Sequence, residues 1–185
     1  MARILMLFQT DSNGPGDSMM PIIVDNAVIR SMPIQQRIDW LIERARHHSM
    51  EFQNPESFLA RKLYTAQHST AVVALKCMDG RLNLSVATST PAGIVQPFRS
   101  LGGRFDLGWP HFGEVMANYV QDMARQGRRT LGLITYHYSK GDLHRGCAGF
   151  NYNTDAARNH TFEIKRQMEA VFGKGHGTVY PLVCG

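Results

Sequence analysis

Ala71-Val72-Val73-Ala74-Leu75, running through Lys76 into Cys77-Met78-Asp79-Gly80-Arg81, is the segment on which the fold turns. Consecutive apolar residues of strand length, with no polar alternation, describe a strand buried on both faces, as in a parallel sheet. The strand ends at Cys77. Further along, Thr130 to Tyr136 is a second such run with His137 at its C-terminal end, and Thr178 to Val183 is a last strand. Gly93 to Phe98 is a strand that Pro97 makes short or confines to an edge. A helix is expected from Trp109 to Arg125, with Phe112, Val115, Met116, Tyr119 and Met123 on one stripe and Gly127 as its stop. Thr154-Asp155 caps another helix, reaching Phe172. Strands alternating with helices predict an α/β fold with a mainly parallel central sheet flanked by helices.

Toward the N-terminus, Ile34 to His48 carries apolar residues at 34, 38, 41, 42 and 45, the helical period. Asn54-Pro55-Glu56-Ser57 opens a further helix to about His68. Gly14-Pro15-Gly16-Asp17-Ser18 reads as a loop, so residues 1–32 are expected to form an arm or irregular segment and 33–185 a single domain. Ile4 to Phe8 is too short for a signal-peptide core, and no run approaches ~20 apolar residues, which argues against a membrane span. The net charge of +5 comes from scattered residues. The densest basic group, Arg125, Arg128 and Arg129, sits where a helix ends and cations favour the dipole. Nothing in the pattern speaks for nucleic-acid binding. Three cysteines make no disulfide framework. They suit a reducing, cytoplasmic setting, with Cys184 as a small buried apolar residue.

Ligands of such sheets collect beyond the carboxyl ends of the strands. Cys77 and His137 both lie at such ends, and Cys147 follows after a glycine-containing loop. Two thiolates and a neutral imidazole cancel the charge of a zinc ion and leave a fourth position for water, whose pKa falls to about 7 on a catalytic zinc. Asp79 lies two residues beyond Cys77, within reach of that water, and Arg81 can clamp the carboxylate through paired hydrogen bonds. The histidine has two candidates. His144 and Cys147 have compact H-x-x-C spacing, which favours His144; strand-end position favours His137. Blander assignments exist for each residue alone: Cys77 as a core cysteine, Asp79-Gly80 as a turn, Asp79 and Arg81 as a surface pair worth at most ~1 kcal/mol. A phosphatase-type loop is excluded, because Asn83 stands where its arginine is needed. No Walker-type phosphate loop is present.

Cys77-Met78-Asp79-Gly80-Arg81-Leu82 and Tyr136-His137-Tyr138-Ser139, followed by Gly146-Cys147-Ala148, resemble the corresponding segments of the β-class carbonic anhydrases. The resemblance is stronger to the divergent carboxysome shell branch. It spans roughly residues 70 to 172, with Arg99-Ser100-Leu101-Gly102-Gly103 and Phe105-Asp106 as weaker echoes. The resemblance implies Cys77, His137 and Cys147 as ligands of one zinc per chain, Asp79 and Arg81 as the catalytic dyad, and His144 outside the ligand set. It departs from the shell enzymes in a shorter loop between His137 and Cys147, and in lacking their long N-terminal region and second, degenerate repeat.

The activity implied by the resemblance is reversible hydration of CO2 to bicarbonate and a proton by zinc-bound hydroxide, in a homodimer or larger homo-oligomer. A cytoplasmic or carboxysome-interior location, with carboxysome components as partners, goes with it. The alternative is a non-catalytic zinc module serving in assembly, and a third reading keeps the chemistry but takes a CO2-like substrate such as carbon disulfide. His144 is a candidate proton carrier, and Phe105, Trp109 and His111 are candidates to line or flank the pocket. Tyr136 and Tyr138 are expected to alternate across the strand end, so that only one faces the metal.

Overall fold

The computed structural model describes the backbone of residues 5–9 and 20–185, and side chains from Asp25 onward except Asn26. The expected loop Gly14 to Ser18 lies outside the described residues. The chain divides into two units, residues 1–54 and 55–185. In the first, β1 (Leu5–Gln9) and β2 (Met20–Val24) pair antiparallel, Leu5 opposite Val24. Helix α1 (Asn26–Ser31) follows, its first turn capped by Asp25, which accepts from the Ala27 N–H at 2.8 Å. Within 1–32, these two strands and α1 make up the regular structure among the described residues. Helix α2 (Ile34–Gln53) runs past the expected His48, because nothing breaks it before Asn54, which is extended ahead of Pro55.

The second unit begins with α3 (Pro55–Gln67) and is built on one parallel sheet. Its strands are β3 (Ala71–Cys77), β4 (Val95–Ser100), β5 (Thr130–Thr135) and β6 (Val179–Cys184), in the order β4-β3-β5-β6. All three pairings are parallel. Pro97 stands on an edge strand, as its missing N–H requires. Val73, Ala74 and Leu75 are each 0% exposed, the burial on both faces that an unbroken apolar run implies.

Val73 and Leu75 face a core shared with Ile134 and Val179, covered by Met116 and Val120 of α5 (Phe112–Arg125) and Ile164 and Met168 of α6 (Thr154–Phe172). Ala74 lies on the opposite face with Val95 and Leu133, against Leu84 of the short helix α4 (Leu84–Ala87). Helix α5 starts at Phe112 rather than Trp109, since Pro110 and the left-handed His111 (φ 65°) hold the backbone out of the helix. Its buried stripe takes Val120 in place of the expected Val115, which is 50% exposed. The cap of α6 is Asn153, whose side chain accepts from the Ala156 N–H at 2.9 Å, one residue before the expected Thr154. Cys184 is partly buried against the second core cluster, not enclosed.

His160 of α6 ties a loop to this core: its Nε2 accepts from the Phe105 N–H at 3.1 Å. That bond needs the neutral ring. Burial first, and Arg104 second, push the His160 pKa down from its ordinary 6.5. As pH falls below about 6.5 the unfolded chain takes up this proton before the folded one, so the contribution is full above that value and lost on acidification. Urea titrations from pH 7.5 to 5 should show stability falling by at most about 1.4 kcal/mol per pH unit from this group. His160→Gln, which keeps an acceptor without the titration, should flatten the slope.

Candidate functional site

Pairing of Leu75 with Ile134 in parallel register carries β3 and β5 to the same edge of the sheet. Cys77 ends the first, and His137 follows two residues after the second. Cys147, which precedes a 3-10 turn at Ala148–Phe150, returns to that edge. Cys77 and Cys147 are 5% and 2% exposed, and they pack in one cluster with Ala157, Leu82, Tyr136 and Phe150. Both are free thiols.

Glycine makes this approach possible. Gly103 has φ +81°, and a Cβ on it would stand 3.2 Å from the Cys147 sulfur and 3.7 Å from the Cys77 Cβ. Gly102, at φ +70°, lets two backbones meet: a Cβ there would be 2.2 Å from the Gly149 nitrogen. Arg104 fastens the same two loops, donating from Nε to the Gly149 carbonyl at 2.6 Å while its guanidinium lies 4.9 Å from the Phe150 ring centre.

His137 sits against Cys147, its backbone N–H donating to the sulfur at 3.4 Å. The ring's Nδ1 is 2.8 Å from the Arg145 carbonyl. A carbonyl only accepts, so Nδ1 carries the proton and Nε2 presents a lone pair. That Nε2 is buried and has no hydrogen-bond partner among the described residues. His144 is placed differently: its side chain is 81% exposed, 3.6 Å from Asp142 and edge-on to the Tyr152 ring.

Solved structures with which the chain aligns are β-carbonic anhydrases. One is from the fungal pathogen Aspergillus fumigatus, at 12% identity over 80% of this chain and 85% of that one, with a TM-score of 0.49. Another is a tetrameric enzyme from the ascomycete Sordaria macrospora, at 12% identity over 82% and 92%, with a TM-score of 0.46. A carbonic anhydrase from Streptococcus mutans aligns at 17% identity over 69% and 70%, with a TM-score of 0.31. No protein-family model and no curated protein matches the sequence.

Asp79 and Arg81 are clamped together. Arg81 Nε donates to both carboxylate oxygens, at 2.9 and 3.1 Å, its Nη2 donates to Oδ2, and its backbone N–H donates to Oδ1 at 2.9 Å. The Arg81 side-chain hydrogen bonds, opposed in part by burial and aided by its backbone N–H and its charge, hold Asp79 well below the usual carboxylate range. Arg81 Nη2 also donates to the Arg145 carbonyl at 3.3 Å. Burial pushes the Cys147 thiol up, the His137 N–H pulls it down, and the neighbouring Cys77 and Asp79 push it up again. Among the described residues no three His, Cys, Asp or Glu side chains form a closed cage for an ion.

The donor set nevertheless fits zinc: two buried thiols and an imidazole with its lone pair free and unpartnered are soft and borderline donors. Phe105 is 5% exposed in the main core cluster, and Trp109 and His111 are exposed. Tyr136 and Tyr138 lie beyond the end of β5, with rings stacked at 6.1 Å; Tyr136 packs on the thiol cluster, whereas Tyr138 is 50% exposed. Unforeseen in the sequence were the Arg145 carbonyl, the Gly103 floor and Lys76, 1% exposed, whose ammonium donates to the Leu82 carbonyl and holds the loop after Cys77. Burial, then Arg99, lower the Lys76 pKa.

Gly103→Ala forces a methyl toward the Cys147 sulfur in a left-handed conformation. It should cost about 1–3 kcal/mol, read as a shift in the urea midpoint with an unchanged slope.

Proposed function

We propose that this chain is a zinc-dependent carbonic anhydrase, catalysing reversible hydration of CO2 to bicarbonate and a proton. The observation that carries the reading is the buried, unpartnered Nε2 lone pair of His137 beside Cys147, at the strand edge where Cys77 and the Asp79–Arg81 pair also lie. Cys77, His137 and Cys147 would hold one zinc ion, and their two thiolates would balance its charge. When bound, zinc supplies the Lewis acidity that lets a water deprotonate near neutral pH.

The chain's own residues do the rest. Asp79, held ionised by Arg81, accepts a hydrogen bond from the reacting water and fixes its direction. Its depressed pKa makes it a poor resting place for the proton, which passes to solvent; the Asp79 side chain is 19% exposed and that of Arg81 45%. The buried cluster of Leu82, Tyr136 and Phe150 supplies an apolar wall suited to a small uncharged substrate.

A homodimer or larger homo-oligomer belongs to this reading. Met78, whose N–H donates to the Ser100 carbonyl, and Leu101, the residue after Ser100, are 53% and 80% exposed, apolar surface suited to cover by a second copy. Two thiolate ligands call for a reducing compartment, which supports a cytoplasmic setting. Among the described residues no helix is long and apolar enough to cross a membrane. The carboxysome interior, with carboxysome components as partners, is supported by the C-x-D-x-R and Y-H-Y-S segments.

Purified protein should contain about one zinc per chain. Cys77→Ala and His137→Ala should lose the metal and stopped-flow CO2 hydration together, whereas His144→Ala keeps both. Asp79→Asn should retain zinc and lose about 10²–10⁴-fold in kcat. Stoichiometric zinc with hydration at the uncatalysed rate would instead identify a non-catalytic assembly module.

A further inference from the structure

We propose that the turn from Asp142 to Arg145 is the positioning element of this site, with Asp142 setting the tautomer of His137 through the Arg145 carbonyl. The inference rests on His137 serving as a ligand, as proposed above. One backbone oxygen carries two functional side chains: it accepts from His137 Nδ1 at 2.8 Å and from Arg81 Nη2 at 3.3 Å. The first contact fixes the proton on Nδ1 and frees Nε2 as a donor. The second braces the guanidinium that clamps Asp79. Ligand and carboxylate thus share one anchor, and moving it disturbs both.

Asp142 holds that anchor in place. Its carboxylate accepts from the His144 N–H at 3.0 Å, and its carbonyl accepts from the Arg145 N–H at 3.0 Å. The Gly146 N–H closes the turn on the Leu143 carbonyl at 2.9 Å. Asp142 Oδ2 also lies 3.4 Å from Arg145 Nε. This short 3-10 turn, Leu143–Arg145, has no strand or long helix to define it, so its side-chain cap decides where the carbonyl points. With the turn relaxed, His137 is free to take the other tautomer, whose Nε2–H cannot bind a cation.

The test uses metal-free protein with 15N-labelled histidine, in which long-range 15N–1H spectra report which ring nitrogen is protonated. Zinc affinity is measured in parallel by competition with a chromophoric chelator. Wild type should show His137 protonated on Nδ1. Asp142→Asn, which keeps an oxygen acceptor for the His144 N–H, should match it. Asp142→Ala should shift His137 toward the Nε2–H form and weaken zinc about 10- to 100-fold. Gly146→Ala presses a methyl to 3.3 Å from the Leu143 carbonyl and perturbs the same turn, which keeps the test open if Asp142→Ala does not fold. Wild-type tautomer and affinity in Asp142→Ala, or in Gly146→Ala where that variant has to serve, overturn the proposal. Absence of zinc binding by wild type would sink the ligand assignment, while the tautomer shift would still decide the role of the turn.

Discussion

Parallel pairing of β3 with β5 is what creates the site. Two antiparallel strands would send Cys77 and His137 to opposite ends of the sheet. Pairing Ala71 with Thr130 and Leu75 with Ile134 sends both to one edge. The pairing is enforced from both faces, since Val73 and Leu75 are buried under α5 and α6 while Ala74 packs the other way. A one-residue slip would exchange those faces and point Cys77 away from the thiol cluster. The register is therefore fixed by the core, and the site inherits its geometry from packing that has no chemistry of its own.

The loops need a second device, because strand ends alone do not bring Cys147 back. Backbone-to-backbone approach of Gly102 and Gly149 does it, locked by Arg104 across both loops and by the stacked Phe150. Lys76 works from beneath, tying the Leu82 carbonyl and so the loop that bears Asp79 and Arg81. Arg104 and Lys76 each join a side chain to a main-chain oxygen. Such contacts hold position whatever side chain the partner residue carries.

That is also why the site was only partly legible in the sequence. The strand ending at Cys77, the edge strand with Pro97, and the helix stopped by Gly127 were written in apolar runs and turn residues, which act locally. Asp79 and Arg81 could be paired in advance because two-residue spacing puts them within reach. Spacing did not separate His137 from His144, whereas the structure sets the His137 ring against the Arg145 carbonyl and leaves the His144 side chain exposed. The start of α5 was misplaced because Trp109 fits the apolar period while Pro110 and His111 break the backbone. Strand alternation does not apply to the two tyrosines, because β5 ends at Thr135, before either of them.

Electrostatics at this strand edge follows from burial and from the neighbouring groups. Burial lifts the Cys147 thiol, the His137 N–H pulls it down, and the neighbouring Cys77 and Asp79 lift it again. Asp79 stays ionised because Arg81, not the cluster, satisfies it. In the zinc reading proposed above, a divalent cation would favour the thiolate form that burial opposes. The chain's contribution is to have buried the sulfurs, freed one imidazole nitrogen and left the carboxylate already paired.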